Sequence, residues 1–450
     1  MNIVKTIVLF IIFAILAAYV YFYEIKGGEE RELSEKEAKK LLTFDKDSVD
    51  IIEIRSVFNR FYFEKANDTW QIKNPVETGG DKSSIDAMLN TLTGMNMIRS
   101  FSIKDGEQTD YGLVGRSYLV IFQLKNGQRD SVRFGDDTPV GSNVFASKGD
   151  TTVYTVSSSA KNAVTKKLFD WRDKSITKIK QADVKEFNLK NTHGNFHFVK
   201  EGTNWSIKKP REVKAENSAV DAVLRKFESG KAKSVASETM ENPDDFNLSR
   251  PAYQIDLYVG EGKAHKHIIL SSIKNNVSHV KDDSRPQVMT VDSLFIRDIN
   301  KTFFQFRYKK ISEYNNNAVD SIVVTQGDSS FYLLRDKNDD WHLGGEKKLK
   351  SWKMNSFLNT IKNLTAKSFL SENVSSPIKF GLAQPKRKVE IYHNGALVQA
   401  VYLTEDNNKK VAFSPNSKMV VEIEDSSYNN LEFKVDDFID TSVTTDEEST

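Results

Sequence analysis

Residues 68–75 read DTWQIKNP, and residues 203–210 read TNWSIKKP, the same tryptophan and proline 135 positions later. An internal repeat constrains a fold more tightly than composition, because both copies must adopt one structure. A third copy, DDWHLGGE at 339–346, keeps the tryptophan and loses the proline. Aligning Trp70, Trp205 and Trp341 brings whole domains into register. Phe61 and Phe196 precede their tryptophans by one interval, and Phe331 does so with one residue added. The runs VDIIEI, VKEFNL and VDSIVV, from residues 49, 184 and 319, alternate apolar and polar residues as half-buried strands do. Each tryptophan then lies on the second strand of a hairpin.

A helix follows in every copy. Ile85, Met88, Leu89 and Leu92 are spaced i, i+3, i+4, i+7, and so are Val220, Val223, Leu224 and Phe227, and Met354, Phe357, Leu358 and Ile361. That spacing gives one apolar stripe to lay on a sheet. Next comes an aromatic-x-Leu element that starts at Tyr111, Phe246 and Phe380. A second hairpin follows, turning at Asn126-Gly127 and Asn394-Gly395, where both residues tolerate positive φ. Each copy is predicted to close on a short helix near Leu168–Trp171, Phe303–Phe306 and Leu431–Phe433.

Solenoid repeats of about 20–50 residues cannot fold alone. These copies are long enough to hold their own cores, so beads on a string, docked or not, is the expected arrangement. The predicted class is α+β: an amino-terminal transmembrane helix, then three tandem homologous domains of antiparallel hairpins packed with amphipathic helices. The boundaries are an anchor at 1–23, a charged stalk at 24–42, repeats at 43–177, 178–312 and 313–440, and a disordered acidic tail at 441–450.

Residues 6–23 carry no charge and end in aromatics, which suits contact with lipid through this segment. A cleaved signal peptide is the alternative, but bulky aromatics stand where small residues would be needed. Positive charges are denser after the segment than before it, which argues for a body inside. The very short amino-terminal tail argues for a signal anchor and an extracytoplasmic (periplasmic) body, the expected arrangement at the inner or cytoplasmic membrane.

The order Trp-x-Ile-x-x-Pro, helix, Tyr-Gly-Leu, then FGDDTPVGSNVFAS at 134–147 resembles the bacterial domain-of-unknown-function family numbered forty-three forty. The resemblance is best over about 50–175. It implies a single-pass membrane accessory protein, often encoded beside ABC transporters of the gliding-motility type. That family has no established catalytic residues to carry over.

Sixty-four basic against sixty-two acidic residues leave +2, with the signs interspersed, so no nucleic-acid partner is expected. The chain has no cysteine, which excludes disulfides, thiolate sites and a lipidated cysteine anchor. His265 and His267 alternate on a predicted strand and share a face, but no third metal ligand is identifiable. DKNDDWHLGGEK at 336–347 has alternating acidic positions, but places Trp341 and Lys347 where a calcium loop needs glycine and glutamate. Asp136, Asp137, Thr138 and Pro139 form the most polar loop, a candidate for a partner or ligand, against a plain reading as a turn shaped by Gly135 and Pro139. Trp70, Trp205 and Trp341 are read as core rather than as stacking platforms.

Two functions fit. The first is a non-catalytic scaffold or accessory protein without cofactor or metal, joined to an ABC transporter or an envelope complex. The second is an envelope glycan- or peptide-binding or hydrolytic protein, with a site between repeats.

Overall fold

The computed structural model describes residues 3–21, 37–149 and 151–443. Helix α1 (Ile3–Tyr19) is seventeen residues of almost wholly apolar sequence. No helix among the described residues is long and apolar enough to cross a membrane by itself.

Three nine-stranded antiparallel sheets follow, all with one strand order. In the first repeat the strands are β1 (Val49–Arg55), β2 (Arg60–Ala66), β3 (Thr69–Asn74), β4 (Thr78–Gly79), β5 (Arg99–Ser102), β6 (Tyr118–Leu124), β7 (Arg129–Asp137), β8 (Asn143–Ser147) and β9 (Thr152–Ser157). Their order is β4-β3-β2-β1-β6-β7-β8-β9-β5. Helix α2 (Lys82–Thr93) therefore leaves one edge of the sheet, at β4, and returns at the other, at β5. Asp81 starts α2 by accepting a hydrogen bond from the Ser84 N–H at 2.9 Å. Its stripe of Ile85, Met88, Leu89 and Leu92 is buried in one core with Ile52, Phe63, Ile72, Val120 and Phe134 from the sheet. The β2–β3 turn is made by Asn67 and Asp68, both at positive φ, which lets two antiparallel strands meet through two residues.

Residues divide between two compact units. One lies within 1–184, 190–192 and 224–300, the other within 185–189, 193–223 and 301–450. The first holds the first repeat with the later strands of the second. The other holds the early hairpin of the second repeat with the third repeat, whose core gathers Trp341, Met354, Phe357, Leu358 and Ile361.

Several expectations need correction. The stalk does not run to residue 42: Leu41 and Leu42 are buried in the first core, and Lys40 bridges Asn96. Apolar residues next to a sheet gain more from burial than from serving as a spacer. Residues 1–2 and 22–23 of the anchor and 24–36 of the stalk lie outside the described residues, as do 444–450 of the acidic tail; Thr441–Val443 form a short 3-10 turn. The closing helix of the third repeat is Val435–Phe438, not Leu431–Phe433. Phe438, rather than Phe433, precedes the residue that bridges Leu349, just as Trp171 and Phe306 precede those bridging Gly80 and Ala215. The sequence left docking open; consecutive repeats meet through the contacts described next.

Candidate functional site

The sequence marks end inside the fold. Trp70, Trp205 and Trp341 are each at most 3% exposed. The indole N–H of Trp70 donates to Asp86 at 3.4 Å and that of Trp205 to Asp221 at 3.1 Å, one residue after the first apolar position of each helix stripe. A buried ring whose N–H is satisfied locally is a packing element. Tyr111 packs on Phe101 and Phe145, Phe246 meets His279 edge-on, and Phe380 lies against the small core of Leu382 and Phe413. The following Leu113, Leu248 and Leu382 are buried. The residue between aromatic and leucine has positive φ in all three copies, which explains Gly112, Asn247 and Gly381 there.

The Asp136–Pro139 loop does not assemble a cation site. Asp136 and Asp137 end β7, where its register against β8 shifts after Phe134. Asp137 pairs with Lys161 at 3.0 Å, while the Asp136 carboxylate sits against Gly112. Thr138 and Pro139 line a cavity of about 500 Å³ with Ile98, Phe101 and Phe145. The 336–347 segment is a hairpin turn in which Asp336 accepts from the backbone N–H groups of Asn338 and Asp340 at 2.8 and 3.0 Å.

The best-defined polar constructions lie where repeats meet. Arg172 ends the first repeat and bridges Gly80 of that repeat; Arg307 ends the second and bridges Ala215. Arg172 Nη2 donates to Glu238 Oε1 at 2.7 Å, and Arg307 Nη1 to Glu372 Oε1 at 2.6 Å. Each glutamate belongs to the following repeat, one residue after the strands Ser234–Ser237 and Ser368–Ser371. The arginine side chains are 5% and 3% exposed and their glutamates 40% and 18%, so water screens the second pair less than the first. Arg307 also stacks on Phe369 at 3.3 Å, and Arg211 donates to Glu372 at 2.7 Å. Burial pushes the Glu372 carboxyl up, but Arg307 and Arg211 outweigh it and hold the group below its ordinary value.

Each joint opens beside a polar cleft. The first, about 450 Å³, is lined by Glu77, Asp173, Lys178, Lys266 and Arg285 among others. The second, about 430 Å³, is lined by Glu212, Lys214, Tyr308, Glu313 and Gln399 among others. In the first, Asp173 receives Lys178 at 3.3 Å; in the second, Glu313 receives Lys214 at 3.1 Å and the Tyr308 hydroxyl. Burial and Glu313 raise the Tyr308 hydroxyl well above its ordinary value.

A third cluster escaped sequence reasoning in part. Asp256, on the strand Tyr253–Val259, lies within 3.0 Å of His265 Nε2 and 2.7 Å of His267 Nδ1. The aspartate is a third group able to act as a ligand beside the two histidines, and cross-strand register brings it there. Burial raises its carboxyl, but hydrogen bonds from His267, His265 and Gln254 hold it below the ordinary carboxylate range.

Fold and joints together define a class: an α+β array of docked homologous repeats. The chain belongs to the family described as Domain of unknown function (DUF4340), which matches residues 70–251 and again 205–385. Each match starts on a repeat tryptophan and runs through one joint, so both Arg–Glu pairs that link repeats fall inside it. None of the curated proteins compared matches the chain. Among solved structures, a DNA polymerase sliding clamp from Pseudomonas aeruginosa aligns at 7% identity, over 87% of this chain and 96% of its own, with a TM-score of 0.13. A structure of the DNA polymerase III subunit beta from the same organism aligns at 7% identity over the same shares, with a TM-score of 0.12. Overlap that low carries no information about this chain.

Proposed function

We propose that this chain is a membrane-anchored, non-catalytic accessory protein. An amino-terminal helix tethers three repeats outside the cytoplasm, beside an ABC transporter or another envelope machine. The joints support this reading: within each compact unit an Arg–Glu pair with a buried guanidinium links one repeat to the next, as a scaffold of docked repeats requires. Tethering draws support from α1, where Ile7, Phe10, Ile11, Phe13, Ile15 and Leu16 are all about half exposed or more. A helix apolar on every side has no use for water, and its seventeen residues rise about 25 Å before the apolar sequence continues towards Tyr23.

The test is affinity isolation of the full chain from detergent-solubilised membranes after crosslinking in cells, with mass spectrometry of what copurifies. The scaffold reading expects one recurrent integral-membrane or envelope partner, lost when a single repeat is deleted. Recovery of the chain alone, or capture indifferent to every deletion, contradicts it. The equivalent clefts favour a second reading, an envelope ligand-binding protein, which expects a small molecule to protect the joint residues from hydrogen exchange.

A further inference from the structure

We propose that Asp256, His265 and His267 form a binding site for a divalent first-row transition cation of the zinc type. The three residues sit on two neighbouring antiparallel strands, Tyr253–Val259 and Ala264–Leu270, in which Asp256 faces His267 and Tyr258 faces His265. His265 and His267 are two apart, so both imidazoles emerge on the face that carries Asp256. Their ligand atoms, with one carboxylate oxygen, lie within 4.8 Å of one another.

Ligand atoms around a tetrahedral zinc ion at about 2.0–2.1 Å stand about 3.3 Å apart. The 3.0 and 2.7 Å separations from Asp256 Oδ1 widen by about 0.3 and about 0.6 Å to reach that spacing. On binding, each histidine acts as a neutral imidazole that keeps its one proton on the ring nitrogen away from the ion. The ion takes His265 through Nε2, His267 through Nδ1 and Asp256 through Oδ1, so the ring protons sit on His265 Nδ1 and His267 Nε2. Two imidazoles and one carboxylate suit zinc, nickel or copper(II) better than calcium or magnesium, which prefer an all-oxygen shell.

The site has an outer support. Gln254 Nε2 donates to Asp256 Oδ2 at 3.3 Å, the oxygen that the histidines leave free, and so fixes the carboxylate's rotation. The Tyr258 ring stacks on His265 at 5.4 Å and 23°, which orients that imidazole. His265 is half exposed and His267 a quarter exposed, so the remaining coordination position opens to water.

The other repeats provide an internal control. They build the same hairpin with Ile121, Arg129 and Ser131 in the first repeat, and with Glu390, Val398 and Ala400 in the third. The architecture therefore does not require the trio, and its chemistry is an addition to the second repeat.

The test is isothermal titration of the full-length, tag-free chain in detergent with zinc chloride, after chelator treatment and dialysis. One equivalent is expected to bind, with cobalt(II) at the same site giving tetrahedral visible bands. Asp256→Asn and His267→Gln are each expected to weaken binding at least tenfold, and Gln254→Ala by about tenfold as an outer-shell loss. His393→Ala, in the third repeat, is expected to change nothing. Unaltered far-ultraviolet circular dichroism shows that the variants are folded. Absence of stoichiometric binding at micromolar zinc overturns the proposal, as does binding that survives both ligand substitutions.

Discussion

Arg172 closes the first repeat and Glu238 lies in the second, yet their side chains meet at 2.7 Å with the guanidinium almost wholly buried. The contact recurs between Arg307 and Glu372, at the corresponding positions of the next joint. At the outer repeats the pair is not written. The third repeat has Ile439 in the arginine position, bridging Leu349, and the first has Ile103 in the glutamate position. The pair is thus a property of joints rather than of the repeat, since a buried arginine without its carboxylate would be costly.

The tryptophans set the stability of each repeat. Trp70→Ala or Trp205→Ala removes a buried ring and is expected to cost about 3–5 kcal/mol in urea unfolding. The phenylalanine variants are expected to cost less, and to retain any membrane partner that copurifies with the parent chain. Loss of that partner in a folded Trp→Phe variant would make the indole a recognition residue instead.

Gly135 lets β7 approach the Tyr111-Gly112 segment: a Cβ there would stand 2.2 Å from the Tyr111 carbonyl oxygen. Backbone cannot yield as a side-chain tip does, so Gly135→Ala is expected to destabilise by about 1–3 kcal/mol. Gly262→Ala, where a Cβ meets nothing within 4 Å, is expected to stay within about 0.5 kcal/mol of the parent. Equal thermal midpoints for the two variants would refute the close approach.

Acid should loosen the second joint. The folded Glu372 carboxyl lies below its ordinary value, so its stabilising effect is complete above the unfolded value, near ~4.3, and fades as pH falls through the folded one. The difference in urea midpoint between the parent chain and Glu372→Gln is expected to be level from pH 7 to about 5, and to shrink below about 4.3. A difference that stays constant into strong acid would contradict this.

Periodicity made much of this architecture legible. The stripes led by Ile85, Val220 and Met354 and the hairpin ending at Trp70 could be read because their partners are a few residues apart. Arg172–Glu238 could not, because the residues are 66 apart and neither lies on a patterned face. Asp256 escaped for a related reason: its place beside two histidines depends on strand register, and a slip of one residue would turn it to the other face. Leu41 and Leu42 were hidden by the charged sequence before them.

The docking of consecutive repeats is tested most directly by a double-mutant cycle on Arg172 and Glu238, followed by urea unfolding of the full chain. Glu238→Ala leaves a buried guanidinium unpaired and is expected to destabilise more than Arg172→Ala, whose partner is 40% exposed. The double variant is expected to recover part of the loss, with a coupling of about 0.5–3 kcal/mol. A coupling indistinguishable from zero, with the two single variants equally mild, would mean that the joint does not hold the repeats together.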